Sequence, residues 1–197
     1  MSDIPDSRSL VPDPLAVPDD RELAAQAARG DVSAFEVLVR LYQSPLYCYL
    51  HRMCRNPAEA EEYAQETFIK AWQGLPGFRA DSSFKTWLFR IGTNLCINRL
   101  SRRRPTEPLP ETLAAPDCDQ PEIVHHQHVR EERVRAALDR LPADQRSAVI
   151  LSIYEEMSYG EIAEAMGRSV ASVNALLYRA RMNLRRHLED AYRRGSV

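Results

Sequence analysis

Five prolines fall between residues 105 and 121, at Pro105, Pro108, Pro110, Pro116 and Pro121, in a stretch with no apolar period. Proline fixes φ and withholds a backbone donor, so no regular helix or central strand runs through such a segment. The chain of 197 residues therefore reads as two blocks on either side of a flexible Pro-rich linker. Residues 1–20 hold Pro5, Pro12, Pro14 and Pro18 among Asp and Ser and read as a disordered lead-in. Residues 21–104 and 122–197 show helical periodicity, and strand-like alternation appears in neither. The expected fold class is all-α, with two small helical domains. Modules this small are marginal alone, so docking on a partner is expected.

Local signals place the helices. Ser33-Ala34-Phe35-Glu36 reads as a capping box, with Val32 and Val37 as a staple. Phe35, Leu38, Val39, Tyr42, Leu46, Tyr49, Leu50 and Met53 then form an apolar stripe that Pro45 is placed to kink. Asn56 and Pro57 suit the N-cap and first turn of the next helix. Its stripe of Ala60, Ala64, Phe68, Ala71 and Trp72 ends at Gly74, Pro76 and Gly77. A third helix carries Phe84, Trp87, Leu88, Ile91 and Leu95 on one face and runs out at Arg102-Arg103-Arg104-Pro105. Beyond the linker, Val134, Leu138 and Leu141 mark one helix, and Pro142 starts another through Val149, Ile150 and Ile153. Ser158-Tyr159-Gly160-Glu161 is a second capping box, stapled by Met157 and Ile162.

Charge is blocked along the chain. The overall formal charge is only −2, but residues 1–70 carry −5, 71–105 carry +6, 106–165 carry −8 and 166–197 carry +5. Two basic segments, each behind an acidic one, could touch a polyanion at two places. Of the 26 basic residues 24 are Arg, the side chain better suited to phosphates and base edges.

Ala163, Gly167, Val173 and Leu176 have the spacing of a helix-turn-helix. Alanine is small where the helices cross, and glycine can take the positive φ that ends the first helix. Val173 and Leu176 face the junction, and Ser169 caps a final helix running to about Tyr192. Placed in a major groove, that helix would present Ser172, Asn174, Ala175, Tyr178, Arg179 and Arg181.

With these residues in view, both blocks resemble one family, the bacterial RNA polymerase sigma factors. The segment Ala60-Glu61-Glu62-Tyr63-Ala64-Gln65-Glu66-Thr67-Phe68-Ile69-Lys70-Ala71-Trp72 is similar to the family's polymerase-binding helix. Residues 78–94, from Phe78-Arg79-Ala80-Asp81 to Gly92-Thr93-Asn94, are similar to its promoter-melting segment. The second block looks like its promoter-recognition domain. Two regions without a middle domain or long N-terminal extension resemble the extracytoplasmic-function (ECF) subgroup. Glu62 stands where the family usually has Asp, and Tyr63 where it has an aliphatic residue. The final helix reads Ala171-Ser172-Val173-Asn174-Ala175-Leu176 where the family often has Gly-Thr-Val-Lys-Ser-Arg.

The resemblance implies roles. Glu61, Glu62, Gln65, Glu66 and Phe68 would meet the β′ clamp helices of core RNA polymerase. Phe78, Arg79, Asp81, Ser82, Ser83, Phe84 and Asn94 would hold the minus-ten element, with Asn98, Arg99, Arg102 and Arg103 on neighbouring phosphates. Ser169, Ser172, Asn174, Ala175, Tyr178, Arg179 and Arg181 would read the minus-thirty-five element, with the β flap beside that domain. A cytoplasmic protein regulated by an anti-sigma factor is the further implication, with no cofactor and no catalysis of its own. A helix-turn-helix regulator acting without polymerase is the alternative, and it leaves residues 56–104 unexplained.

Energetics supports dependence on a larger machine. Opening about ten base-pair steps at ~1.4 kcal/mol each costs on the order of 14 kcal/mol. Capturing one flipped base returns only a few.

The remaining chemistry is sparse. No phosphate loop, zinc-protease motif or nucleophile elbow is present. No run of 18 apolar residues spans a membrane, and the N-terminus has no secretory pattern. Cys48, Cys54, Cys96 and Cys118 form no Cys-x-x-Cys pair and are expected to be reduced. Cys48, His51 and Cys54 lie too far around their helix for a metal site, whereas Cys118 with His125, His126 and His128 leaves metal or redox sensing open.

Overall fold

A computed structural model describes residues 19–78, 81–102 and 126–194, and side chains outside 126–132 and 190–194. The lead-in before Asp19 and the linker 105–121 lie outside the described residues. Eight α-helices follow one another within that range: α1 (Asp20–Ala28), α2 (Val32–Cys54), α3 (Pro57–Gly74), α4 (Phe84–Arg102), α5 (His126–Asp139), α6 (Ala143–Ile153), α7 (Tyr159–Ala165) and α8 (Val170–Arg194). A 3₁₀ turn over Leu75–Gly77 leaves α3 where Gly74, Pro76 and Gly77 break the helical pattern. No strand occurs among the described residues.

Helix starts follow side-chain oxygens. Asn56 Oδ1 accepts from the backbone N–H groups of Ala58 (3.0 Å) and Glu59 (3.3 Å), and Pro57 opens α3. Asp31 caps α2 through Ala34 N–H at 3.1 Å. This corrects the expectation that Ser33 is the cap: Asp31 lies two residues earlier and its carboxylate reaches the N3 donor first. Helix α1 was not anticipated. It starts at the Asp19 cap and buries Leu23, Ala24 and Ala27, a stripe too short to stand out from sequence. Asp20 pins it, accepting from the Tyr42 hydroxyl (2.9 Å) and the Lys85 backbone N–H (3.2 Å).

Helix α2 is the spine of the first module. Leu38, Leu46, Tyr49, Leu50 and Met53 are fully buried along it. Pro45 lies within the helix without ending it. Leu41, four residues back, is exposed, so water can replace the backbone donor that proline lacks. At the crossing of α2, α3 and α4 a Cβ on Gly92 would come within 3.1 Å of Leu46 Cδ1 and 3.5 Å of Thr67 Oγ1. Hydrogen in place of a side chain lets α4 close on both neighbours.

The two modules, expected as separately tethered lobes, are docked. Helix α4 packs on α7 and α2 on α6, and one buried apolar cluster runs through both halves. Cys54 and Cys96 are free and buried, and burial pushes the Cys96 thiol up to about 12. Cys48 is disulfide-bonded, which corrects the expectation of four reduced thiols. It is only half-buried and lines the cleft between the modules, whereas Cys54 and Cys96 are enclosed. Cys118 and His125 lie outside the described residues, as do the side chains of His126 and His128.

Candidate nucleic-acid interface

Three faces carry the proposed contacts. On α3, Glu61, Glu62 and Gln65 are exposed one turn apart, and Glu66 is half-buried. Gln65 Nε2 donates to Glu61 at 3.4 Å. Glu66 accepts from Arg99 Nη2 at 3.0 Å and pairs with Lys70 at 3.4 Å, while Glu62 lies 3.9 Å from the same guanidinium. Arg99, expected on DNA phosphates, is thus shared with the acidic face. Beside Phe68, which the resemblance implied, sequence reasoning missed Ile69 and Trp72 as the apolar part of this surface. Ile69 is 58% exposed and Trp72 37%, with Trp72 packed 4.9 Å from the Phe35 ring and Phe68 edge-on to Phe35 at 6.5 Å. The signal was Ile69 itself, a large aliphatic residue off the buried stripe.

The second face follows the 3₁₀ turn. Phe78 is half-buried, 5.1 Å from Trp87 and 6.2 Å from Phe84 by ring centroids. Phe84 is fully buried, so it props the segment from beneath and presents no ring face to solvent. Ser83 is spent locally: its Oγ accepts from Thr86 N–H at 3.1 Å and bonds the Thr86 hydroxyl at 2.9 Å. Asp81 is exposed and Ser82 half-buried; Arg79 lies outside the described residues. Along α4, Asn94, Asn98 and Arg102 recur at four-residue spacing on one exposed face with Arg99 beside them. Arg103 lies outside the described residues. Leu88 is buried, and Trp87 and Ile91 are half-buried, as packing residues of the apolar face.

The third face is the helix-turn-helix. Ser158 Oγ accepts from Glu161 N–H at 3.3 Å, and Glu161 accepts from the Ser158 N–H at 2.8 Å, which closes the capping box. The Ser158 hydroxyl and backbone N–H hold the Glu161 carboxyl below the usual carboxylate range. Gly167 has φ +61°, the left-handed conformation the turn requires. Ser169 Oγ accepts from Ser172 N–H at 3.2 Å. Val173, Leu176, Leu177 and Ala180 are buried, and the opposite face of α8 exposes Asn174, Ala175, Tyr178, Arg179 and Arg181. Ser172 is half-buried. Arg181 reaches the Tyr159 hydroxyl at 3.4 Å, which ties the exposed face of α8 to the start of α7.

The architecture matches known proteins on both sides of the linker. Sigma-70 region 2 matches residues 38–106, and sigma-70 region 4 matches residues 131–184. The chain belongs to the sigma-70 family of RNA polymerase sigma factors. The RNA polymerase sigma-H factor of Pseudomonas aeruginosa is 34% identical over 88% of this chain and 96% of its own length. The ECF RNA polymerase sigma factor SigW of Bacillus subtilis is 32% identical over 84% of this chain and 94% of its own. Among solved structures, CnrH in complex with the cytosolic domain of CnrY superimposes with a TM-score of 0.68 at 30% identity, over 87% of this chain and 98% of that one. The sigma factor RpoE of Bartonella quintana, in complex with the anti-sigma factor NepR, does so with a TM-score of 0.65 at 26% identity, over 80% of this chain and 98% of that one.

This chain is thus an ECF-type sigma factor. It acts with core RNA polymerase in recognising promoter elements. No described helix is long and apolar enough to cross a membrane.

Proposed function

We propose that the three faces divide the work of initiation. The acidic and apolar side of α3, from Glu61 to Trp72, docks on the β′ clamp helices of core polymerase. The Phe78–Ser83 segment and the α4 row of Asn94, Asn98, Arg99 and Arg102 hold the minus-ten strand. The exposed face of α8 reads the minus-thirty-five duplex, with the β flap beside it. An anti-sigma protein regulates the chain in the cytoplasm, where its polymerase works.

The observation that supports this division is the spatial separation of chemistry on α3 and α8. One helix offers carboxylates beside exposed Ile69 and Trp72, a pattern for a basic and partly apolar protein surface. The other offers Asn174, Tyr178, Arg179 and Arg181 on an exposed face behind a turn glycine, a pattern for a major groove.

Run-off transcription with purified core polymerase tests the assignment. Glu61→Lys with Glu62→Lys is expected to abolish core binding while duplex binding by α8 persists. Unchanged core affinity overturns the α3 assignment. Equal promoter selectivity with and without core overturns the division between polymerase and promoter faces.

A further inference from the structure

The outward side of α8 has an uncharged centre. Ala171, Ala175, Tyr178 and Met182 are all exposed. They follow one another at intervals of four, three and four residues, which stacks them in a single strip on a helix. Tyr178 is 66% exposed and Met182 48%, so neither is spent on the core. Val173, Leu177 and Ala180, on the opposite side, are buried, so the strip points away from the rest of the fold. Polar groups stand on its flanks. At about 100° per residue, Asn174 and Arg181 fall on one edge and Arg179 on the other.

Two departures from the family pattern thin the cations of this half of the helix. Asn174 stands where the family often has Lys, and Leu176, where it often has Arg, is turned into the core.

Base pairs differ in what such a surface can recognise. In the major groove guanine offers two acceptors, which call for a cation. Adenine offers a donor beside an acceptor, which suits an amide. Thymine offers a methyl group, which suits an apolar side chain. Two alanines beside an asparagine supply the partners for adenine and thymine and not the cation for guanine. The seven-residue step from Ala171 to Tyr178 rises about 10 Å, the height of about three base pairs.

We infer that α8 selects a run of about three A·T pairs in the minus-thirty-five element. Ala171 and Ala175 pack on thymine methyl groups, and the Asn174 amide bonds N6 and N7 of an adenine, with Arg179 and Arg181 toward the phosphates on either side. The inference rests on the proposed assignment of α8 to the minus-thirty-five duplex and names what that face reads. A G·C pair beneath either alanine is selected against, because its polar edge loses water and meets only a methyl group.

The test uses the full chain with core polymerase and a pool of duplexes randomised upstream of the start site. Sequencing the retained duplexes defines the upstream element, which is expected to contain the A·T run. Replacing its thymidines by deoxyuridine, one position at a time, removes only the methyl group. Affinity is expected to fall about fourfold at each of two positions, as for one methyl group returned to water. Ala175→Ser exchanges the contacting methyl for a hydroxyl and is expected to abolish the deoxyuridine penalty at one of them. Asn174→Lys brings a cation suited to guanine O6 and N7 to the same point. A repeated selection is expected to change one position from adenine to guanine, with a preference of at least about fivefold. Both side chains are exposed, so helical circular dichroism and the melting midpoint are expected to match wild type.

An upstream element of G·C pairs, the absence of any position sensitive to deoxyuridine, or a Lys variant that still selects adenine overturns the A·T reading. Those results leave α8 as the reader so long as either variant alters which upstream sequences are retained. If neither alters them while promoter-specific transcription continues, or if the pool yields no upstream element, the assignment of α8 itself fails and takes the inference with it.

Discussion

On α8 the side chains proposed to read duplex DNA are exposed, apart from half-buried Ser172, whereas between residues 78 and 84 Phe84 is fully buried and Phe78 is packed against Trp87. Both segments are DNA-facing candidates in one chain, but they use their residues differently. A recognition helix docks as a rigid body, so its reading side chains take no part in holding the fold. A segment proposed to receive an unstacked base would need a firm floor, and here the rings of Phe84 and Trp87 pack against Phe78. Mutations on α8 should therefore separate binding from stability, and mutations under the 78–84 segment should not.

The sharpest way to break this contrast is Phe84→Ala. Removing a fully buried ring should cost about 3–5 kcal/mol of stability and lower the thermal midpoint of the whole chain, since one core runs through both modules. A midpoint equal to wild type, with a specific defect in promoter opening, would place Phe84 on the DNA side and erase the distinction.

Arg179→Ala is the counterpart on α8. If the guanidinium reads a base edge, the loss is about 1–3 kcal/mol in promoter binding, concentrated at one position of the minus-thirty-five sequence; a phosphate contact would instead weaken all sequences alike and reduce the salt slope by about one. The melting curve should be unchanged in either case. A shifted midpoint would show that the exposed face of α8 supports the fold after all.

Much of the architecture was legible before any coordinates. Asn56-Pro57, the Ser158–Glu161 box and Gly167 are local signals, and each acts within a few residues of itself in the structure. Local signals failed where two options competed, as at Asp31 against Ser33. They also failed where an element draws its stability from distant partners, as α1 does through Tyr42 and the Lys85 backbone. The docked seam was not legible at all. Tyr49 reads as one more member of an apolar stripe, and nothing nearby in sequence foretells that its hydroxyl meets Ser147, 98 residues away. The candidate site divides along the same line. Exposure on α8 follows from helical spacing, but the burial of Phe84 and the pairing of Arg99 with Glu66 depend on how helices pack.

A smaller effect sharpens the comparison from the turn. No heavy atom lies within 4 Å of a Cβ built on Gly167, so Gly167→Ala meets no steric block, only the strain of positive φ. The expected loss is about 1 kcal/mol. It should be read as a stability change with the α8 reading residues intact, so promoter binding measured well below the melting midpoint should stay near wild type. A large binding defect at full folding would mean that the turn itself sets the angle at which α8 enters the groove.

The smallest effect concerns pH. Glu161 is held below the ordinary carboxylate range by the Ser158 hydroxyl first and its backbone N–H second. A carboxylate with a depressed folded pKa contributes stability that is present above its unfolded value and lost as pH falls through the folded one. The helix-turn-helix should therefore weaken as pH drops below about 4.3, the unfolded carboxylate value. The change is modest, because the pair is exposed and screened by solvent. Ser158→Ala should cost about 1 kcal/mol near neutrality and flatten that acid-side slope, since it removes the first-ranked cause of the shift. The backbone N–H remains to hold some of the depression. A variant that loses the stability yet keeps the wild-type slope would show that Glu161 does not carry the pH dependence.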